Sequence, residues 1–346
     1  IHRLSRQSGC VLRDAQGGDA MIRALAAALL VTVGLSTAAP AQSALQQQNE
    51  ILFEQLERVH DLSNAQMQRI REIFARRGFM GQGNPTITQR PMTVQQCLAR
   101  IPGGPSGYDN RRFERICGDK YMAPLYDPAT ERPEDATACI DQFEFPNIPC
   151  TYPVVWVKAM EAAQICAAQG KRLCDAHEWE GACAGAVLEA DYRFDLGSHG
   201  AMRAWHNQKY EPTKTWSYGP TFQRGICAQD SVKSASCPGG GFNRCGSNHY
   251  PVGSFPNCKS PLGVYDLNGN AAEHMNLPLA PDQMASRGST TLGVTEMKGS
   301  WFIWDKVNAH PDWCRWRAPY WHGSRVMSPA SHENYHLGFR CCKTVN

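Results

Sequence analysis

Apolar residues recur at helical spacing in two short stretches before residue 80. The two stripes comprise Leu45, Ile51, Leu52, Leu56 and Val59, and then Met67, Ile70, Ile73 and Phe74. Such spacing is typical of amphipathic helices. The polar break at Asp61-Leu62-Ser63-Asn64 supplies an N-cap for the second helix, and Gly78 is placed to end it. The pattern predicts an antiparallel helical hairpin over 42–80. It leaves open whether the hairpin packs on its own domain or serves as a docking arm for a partner.

Residues 81–137 lack this periodicity. Stretches such as GQGNPTITQRP and YDPATERPED are rich in glycine, proline and polar residues, which is typical of turns. Cys97 and Cys117 flank the middle of this segment, and their proximity in sequence suggests that they pair. We therefore predict a loop-rich linker over 81–137 that is held by one Cys97–Cys117 bridge.

The remainder, residues 138–346, reads as one folded domain. The alternation in CIDQFEF indicates a strand, and alanines spaced along one face predict a helix from Lys158 to Gln169. Asp175, with Glu178 three residues later, predicts the start of a further helix through a capping box. Strands and helices are mixed without a βαβ rhythm, so the sequence predicts an α+β fold.

The longest apolar run, residues 24–35, has 12 residues and is too short to span a bilayer. It follows Met21-Ile22-Arg23 and precedes Ala39-Pro40-Ala41, the pattern of a secretory signal peptide. The sequence thus predicts a signal peptide over 21–41, an upstream segment over 1–20, and no stable membrane span after cleavage. We expect a secreted or periplasmic protein.

Composition agrees with that compartment. The chain has 346 residues with 15 cysteines, 30 glycines and 22 prolines. Removal of Cys10 with the upstream segment leaves an even set of 14 cysteines, which predicts a disulfide-stapled, loop-rich protein. The net charge is +3 and no dense stripe of lysine and arginine is present, so we expect no nucleic-acid partner.

Three motifs follow one another in the second half of the chain. They are VKAMEAAQICAAQGKRLCDAHEWEGACAG (157–185), PLGVYDLNGNAAEH (261–274), and the pair KGSW (298–301) with LGFRCC (337–342). In this order they resemble the formylglycine-generating enzyme family, also called sulfatase-modifying factors. The resemblance covers about 139–342 and implies a C-type-lectin-like fold. The hairpin and the linker lie outside it.

The resemblance implies copper chemistry that this sequence carries only in part. Members of the family oxidise a cysteine of a sulfatase with copper and dioxygen, using two active cysteines. The first of these positions falls on Ile303, whose alkyl side chain binds no copper. Cys314 is the only cysteine in the segment 298–321. If the protein is catalytic, Cys314 is the thiol placed to bind copper(I), a soft ion, and Ser300 would position dioxygen.

A structural role competes for the same cysteine. The bridges of the family correspond here to Cys166 with Cys341 and to Cys183 with Cys314, with Cys174 as a rival partner for Cys183. Four further cysteines have spacings that do not match a zinc site and favour two loop-stapling disulfides. These four are Cys227, Cys237, Cys245 and Cys258.

The resemblance also implies a calcium site at Asn268, Gly269, Ala271 and Glu273. Backbone carbonyls and one carboxylate in a turn are suitable ligands for calcium. The alternative is a purely structural Asn-Gly turn. The family has a second calcium site for which Asn207 is a candidate ligand, although the sequence does not align there.

Aromatic and basic residues crowd the stretch before residue 322. Tryptophan and arginine are frequent anchors at binding surfaces, so these residues predict a substrate cleft. The predicted cleft comprises Trp301, Trp304, Trp313, Arg315, Trp316 and Arg317. The alternative is that most of them are core residues.

Two functions from different classes remain open at the level of sequence. The first is a sulfatase-modifying-factor-like oxidoreductase that acts on a peptide or a small thiol substrate. The second is a non-catalytic C-type-lectin-like module that binds a peptide or a glycan. Docking of a partner through the hairpin is compatible with both.

Overall fold

The computed structural model describes residues 43–237, 240–303, 311–318 and 323–345. The predicted upstream segment and signal peptide, and also Trp304 and Trp321, lie outside the described residues. The helices are α1 Ala44–His60, α2 Asn64–Ala75, α3 Val94–Arg100, α4 Arg111–Cys117, α5 Ala159–Ala168, α6 Ala176–Ala184 and α7 His199–Tyr210. The strands are β1 Met122–Leu125, β2 Ala138–Asp141, β3 Arg172–Leu173, β4 Ala272–Leu277, β5 Val294–Lys298, β6 Leu337–Phe339 and β7 Cys341–Thr344.

The first two helices form the predicted hairpin. Each begins with a capping box, in which a serine and a glutamine three residues later satisfy each other's backbone N–H groups. The pairs are Ser43 with Gln46 and Ser63 with Gln66. An ion pair between Arg71 and Glu50 joins the two helices, and Phe53 packs edge-on against Phe74. The prediction of a helical hairpin is therefore confirmed.

The apolar face of the hairpin is covered by the rest of the chain. Its fully buried Leu52, Leu56 and Ile70 share a core cluster with Phe145 and Phe339. The side-chain amide of Asn49 also donates to the carbonyl oxygen of Met80 at 3.0 Å. The side that the sequence predicts to be apolar is thus used for packing on its own domain.

Two small sheets form the centre of the domain. The first has the order β1-β2-β7-β3 and is antiparallel throughout. The second has the order β5-β4-β6, in which β4 and β5 are antiparallel and β4 and β6 are parallel. Strands β6 and β7 are separated only by Arg340, so the two sheets meet at this residue.

Residues 81–137 are part of the same folded unit. Strand β1 pairs with β2 in the first sheet, and helices α3 and α4 are each tied down by a disulfide. These disulfides join Cys97 to Cys150 and Cys117 to Cys139. The predicted Cys97–Cys117 pairing is therefore wrong. Both cysteines form disulfides with partners beyond residue 137, because α3 and α4 pack on the domain and not on each other.

The helices predicted beyond Cys139 are present, whereas the predicted strand is shorter. In α6 the backbone N–H of Asp175 donates to Glu178 at 2.8 Å, as the capping box predicts. The carboxylate of Asp175 also accepts hydrogen bonds from the backbone N–H groups of Ala285 and Ser286. Strand β2 ends at Asp141, earlier than the alternation up to residue 145 indicates.

Seven disulfides use all 14 cysteines that follow Cys10. Besides the two already named, they are Cys166–Cys341, Cys174–Cys342, Cys183–Cys314, Cys227–Cys258 and Cys237–Cys245. Such a density of bridges is typical of proteins that fold in an oxidising compartment. Within the described ranges, the structure contains no helix that is both long and apolar enough to traverse a bilayer.

Candidate functional site

Cys314 is bonded to Cys183, which lies on α6, and both sulfurs are fully buried. This is the pairing that the family resemblance implies for a structural bridge. A disulfide sulfur is no thiolate, so Cys314 has no free ligand to offer to copper(I). The sequence leaves open a catalytic and a bridging role for Cys314, and the structure shows the bridging role.

Hydrogen bonds fix the segment 311–318 on both sides of Cys314. The backbone N–H of Cys314 donates to the carbonyl oxygen of Thr215 at 2.8 Å. The carboxylate of Asp312 accepts from the indole N–H of Trp216 at 2.7 Å. The amide of Asn207 both accepts from and donates to the backbone of Arg317, each at 2.8 Å. Asn207, a candidate calcium ligand by sequence, thus uses both side-chain atoms to hold this segment.

A buried charge cluster lies beneath the same segment. The carboxylate of Glu180 accepts from Lys298 Nζ at 2.6 Å and from Arg317 Nε at 2.9 Å, and His206 Nε2 lies 3.3 Å away. Burial raises the pKa of Glu180, but the electrostatic interactions with Arg317, His206 and Lys298 outweigh this and hold the pKa well below its usual value. Burial lowers the pKa of Lys298, which its ion pair with Glu180 opposes.

The predicted cleft is largely closed, which corrects the sequence-based interpretation. Trp313 is 8% exposed, Trp316 and Arg315 are each 9% exposed, and Arg317 is 1% exposed. The guanidinium of Arg315 donates to the carbonyl oxygen of Ala186 at 2.8 Å. These side chains pack inward because aromatic rings and paired arginines supply the core of a domain with little regular secondary structure.

The Gly-Ser-Trp turn differs from the segment 311–318, because side chains at and just after it are partly exposed. Ser300 is fully buried, and its hydroxyl lies 3.4 Å from the carbonyl oxygen of Trp301, so it does not face an open site for dioxygen. Trp301 and Ile303 are half-buried. The ring of Trp301 lies 4.2 Å from that of His336. The family's first active-cysteine position therefore presents an alkyl group beside an aromatic ring.

Further apolar side chains that are partly exposed pack near Trp301 and Ile303. Phe79, from the chain that follows the hairpin, is 43% exposed and stacks on the half-buried Phe242 at 4.8 Å. Phe242, Trp301 and Ile303 all pack on one buried cluster that contains Trp156, Phe302 and Tyr335. We call Phe79, Phe242, Trp301 and Ile303 the aromatic surface. Sequence reasoning missed Phe79 and Phe242 because neither lies in a periodic or motif-bearing stretch.

The turn that carries the predicted calcium ligands is held by protein contacts. Both carboxylate oxygens of Glu273 accept from the guanidinium of Arg340, at 2.7 and 2.8 Å. The side-chain oxygen of Asn268 accepts from the backbone N–H of Ser217 at 2.9 Å. Gly269 has φ +86°, and a Cβ added there would lie 2.6 Å from the carbonyl oxygen of Ala228.

These contacts do not fit a calcium site. Calcium requires six or more oxygens that converge on one point. Here the only carboxylate among the four predicted ligands, that of Glu273, is engaged by Arg340, and the N–H of Ala271 donates to Glu144 at 2.7 Å. Among the described residues, no three His, Cys, Asp or Glu side chains are grouped so that they could hold a metal ion.

Two more carboxylates are buried near this turn. Burial raises the pKa of Asp266 to about 7. Burial, together with the negative charges of Asp266 and Glu273, raises the pKa of Glu144 well above its usual value. Both groups accept hydrogen bonds: Asp266 from the N–H of Gly253 at 2.6 Å, and Glu144 from Asn270 at 2.7 Å. The turn therefore forms a polar core inside the domain.

Comparisons with known proteins agree with this architecture. Residues 110–345 match the family described as the sulfatase-modifying factor enzyme 1-like domain. The chain is 32% identical over 122 residues to the inactive C-alpha-formylglycine-generating enzyme 2 of Bos taurus, covering 35% of this chain and 32% of the relative. It is 28% identical over 147 residues to the protein of the same description from Mus musculus, covering 42% and 39%.

The crystal structure of CarF aligns with 56% of this chain and 68% of its own, at 13% identity and a TM-score of 0.31. This similarity is too low to support an argument. The family match covers more than half of the chain, so the protein belongs to the sulfatase-modifying factor enzyme 1-like family. Its fold is the α+β, loop-rich fold of formylglycine-generating enzymes, stapled by disulfides and preceded by a helical hairpin. The chain spans about a third of the length of the two mammalian relatives.

Proposed function

We propose that this protein is a non-catalytic binding module of the formylglycine-generating enzyme family that recognises a peptide segment in a secreted or periplasmic setting. The observation that carries the proposal is the Cys183–Cys314 bridge. Copper-dependent cysteine oxidation in the family needs two free cysteines. One of these positions is Ile303 here, and the one cysteine nearby is held in the bridge.

The aromatic surface supports the binding part of the proposal. It combines a 43% exposed phenylalanine with half-buried Phe242, Trp301 and Ile303 around the position of the lost active cysteine. Exposed apolar groups that form a contiguous patch are typical of interaction sites. The family description names the modification of a sulfatase, which is a protein, so we favour a peptide over a glycan as the ligand.

The relatives' names agree with the loss of catalysis. Both mammalian proteins are described as inactive. The oxidoreductase alternative requires Cys314 as a free thiol. In the Cys183–Cys314 bridge, an oxidised Cys314 provides neither a copper ligand nor an electron donor.

The catalytic part is tested by incubating the purified full chain with copper(I), dioxygen and a cysteine-containing sulfatase peptide. The expected result is no aldehyde in the peptide by mass spectrometry. Alkylation of the denatured, non-reduced protein is expected to label no cysteine in the mature chain. Aldehyde formation, or a labelled Cys314, would overturn the proposal.

The binding part is tested by panning a random peptide library against the immobilised protein and measuring the affinity of selected peptides. Replacement of Trp301 by alanine is expected to weaken binding about tenfold, or about 1.4 kcal/mol. Ile51→Ser is the matched control, because Ile51 is 59% exposed but lies on the hairpin. Equal loss in both variants, or selective binding of glycans and no peptide, would contradict the proposal.

A further inference from the structure

The guanidinium of Arg340 has an acceptor for every one of its N–H groups. Nε donates to Glu273 Oε2 at 2.7 Å, and Nη2 donates to Glu273 Oε1 at 2.8 Å and to the carbonyl oxygen of Tyr265 at 3.0 Å. Nη1 donates to the carbonyl oxygens of Asp141 and Gln142, both at 3.2 Å. Five donors thus meet five acceptors, which is the full capacity of an arginine.

These contacts place Arg340 at a junction of the fold. The residue lies between β6 and β7, and its acceptors come from β4, from the end of β2 and from the chain just before the turn. The side chain is fully buried. A buried guanidinium is stable only when its charge and its donors are satisfied, and the bidentate geometry with Glu273 achieves both.

Two further side chains at the turn are also engaged, whereas Asp266 Oδ1 is buried without a hydrogen-bond partner among the described residues. A second donor, the indole N–H of Trp179, reaches Glu273 Oε2 at 3.2 Å. The amide of Asn268 is used on both sides, since its oxygen accepts from Ser217 and its nitrogen donates to the carbonyl oxygen of Asp312. A cation that entered this turn would have to displace donors from Glu273 and Asn268 at once.

We infer that the guanidinium of Arg340 is the resident cation beside Glu273, and that the predicted ligands in residues 268–273 hold no calcium. The internal ion pair performs the two tasks that a bound divalent ion would perform. It neutralises the carboxylate of Glu273, and it cross-links the turn to the strand pair β6 and β7. The fold of this protein therefore does not depend on a supply of calcium. This inference is independent of the proposed binding function.

The test uses the full chain, purified in chelator and then dialysed against calcium at about 10 mM, above the Kd range of weak extracellular calcium modules. The protein-bound metal is measured by mass spectrometry after gel filtration, and Tm is measured with calcium and with chelator. The expected result is no stoichiometric calcium and no shift of Tm. A bound ion would raise Tm in a concentration-dependent manner.

Uptake of one calcium per chain with a rise of Tm, both abolished in Glu273→Gln, would overturn the inference. Calcium that is retained in folded Glu273→Gln lies elsewhere in the molecule and leaves the inference standing. If Glu273→Gln does not fold, Asn268→Ser replaces it, because Asn268 carries the other side-chain oxygen predicted to coordinate calcium. Loss of calcium and of the Tm shift in that variant would equally overturn the inference.

Discussion

The two ends of the segment 298–318 differ in almost every physical property. Towards its C-terminal end, Cys314 is cross-linked, and Arg317 is paired with the buried carboxylate of Glu180. Near its N-terminal end, Trp301 and Ile303 are half-buried and pack with Phe242 against an apolar cluster. In the family, both regions together hold the reacting cysteines. Here Cys314 forms the structural bridge that the family resemblance implies, and the first active-cysteine position carries the alkyl side chain of Ile303.

Under the proposed function, the difference indicates how a catalytic site can be lost while its scaffold is kept. A cysteine that already lies next to α6 contributes to stability once it pairs, so its position is retained. A position at the surface has no such role, and an alkyl side chain there only changes what the surface can bind. The scaffold thus separates into a region that maintains the fold and a region that is free to recognise a ligand.

The largest effect should come from the buried end. Replacement of Glu180 by glutamine removes the nearest counter-charge of Lys298 and Arg317 and leaves them, among the described residues, only Glu296 at 3.8 Å and Asp191 at 3.4 Å. We expect a loss of about 3–5 kcal/mol in the free energy of unfolding. Denaturant titration measures this loss. Glu211→Gln is the control, because the pair of Glu211 with Lys214 is exposed and should contribute less than about 1 kcal/mol. A similar small loss in both variants would show that the cluster is not a stabilising unit.

Removal of the staple should have the next largest effect. The double variant Cys183→Ala/Cys314→Ala is expected to lose about 2–5 kcal/mol, because the bridge restricts the unfolded chain. The matched control is Cys237→Ala/Cys245→Ala. Its cysteines are separated by 8 residues in sequence and not by 131, so the loss should be smaller. Thermal unfolding measures both. A larger loss in the control would contradict the comparison.

A pH-dependent effect is expected below the aromatic surface. His249 is fully buried against Phe302, and burial, aided by the charge of Arg90, lowers its pKa to about 3. The unfolded chain binds this proton near pH 6.5, so the stability contributed by neutral His249 is present above pH 6.5. It is lost at about 1.4 kcal/mol per pH unit as the pH falls towards 3.

The measurement is the free energy of unfolding from pH 7 to pH 4 for the native protein and for His249→Asn. The variant should show a slope lower by the contribution of one proton, while other buried histidines keep the remainder. Identical slopes would mean that His249 is accessible to solvent. The cluster beneath the aromatic surface would then be less tightly packed than the structure indicates.

The smallest effect on stability should come from the aromatic surface itself. Phe79→Ser removes a side chain that is 43% exposed, and we expect a change of about 1 kcal/mol or less in the free energy of unfolding. Peptide binding should nevertheless weaken. Calorimetry with a selected peptide, next to a thermal melt, measures both quantities. A large loss of stability with unchanged binding would reverse the roles assigned to the two ends of the segment.

Local signals in the sequence predicted α1, α2, α5 and α6, but not α3, α4 or α7. The hairpin is visible from its two apolar stripes and serine caps, and α6 is visible from Asp175 and Glu178, because helix formation depends on residues a few positions apart. The pairing of Cys97 could not be predicted in the same way. Its partner, Cys150, is 53 residues away and is brought near only when α3 packs on the domain.

The candidate site was predicted less well for the same reason. The residues of the predicted cleft were recognised as aromatic or basic, but burial depends on partners that are distant in sequence. Arg317 is paired with Glu180, 137 residues before it. The aromatic surface combines Phe79 with Trp301, and no local pattern links these two residues. Motifs therefore identified the family, whereas the exposed chemistry required the structure.

The adjacent residues Cys341 and Cys342 carry a consequence for biosynthesis. They point to opposite faces of β7, so their bridges to Cys166 and Cys174 enter two different core clusters. Each is translated long after its partner, by 175 and 168 residues. Cys166 and Cys174 therefore have no native partner until residues 341 and 342 have been synthesised. Until then, cysteines made in between can form wrong disulfides with them. Correct maturation is a late event, and the yield of native protein depends on enzymes that exchange wrongly joined sulfurs.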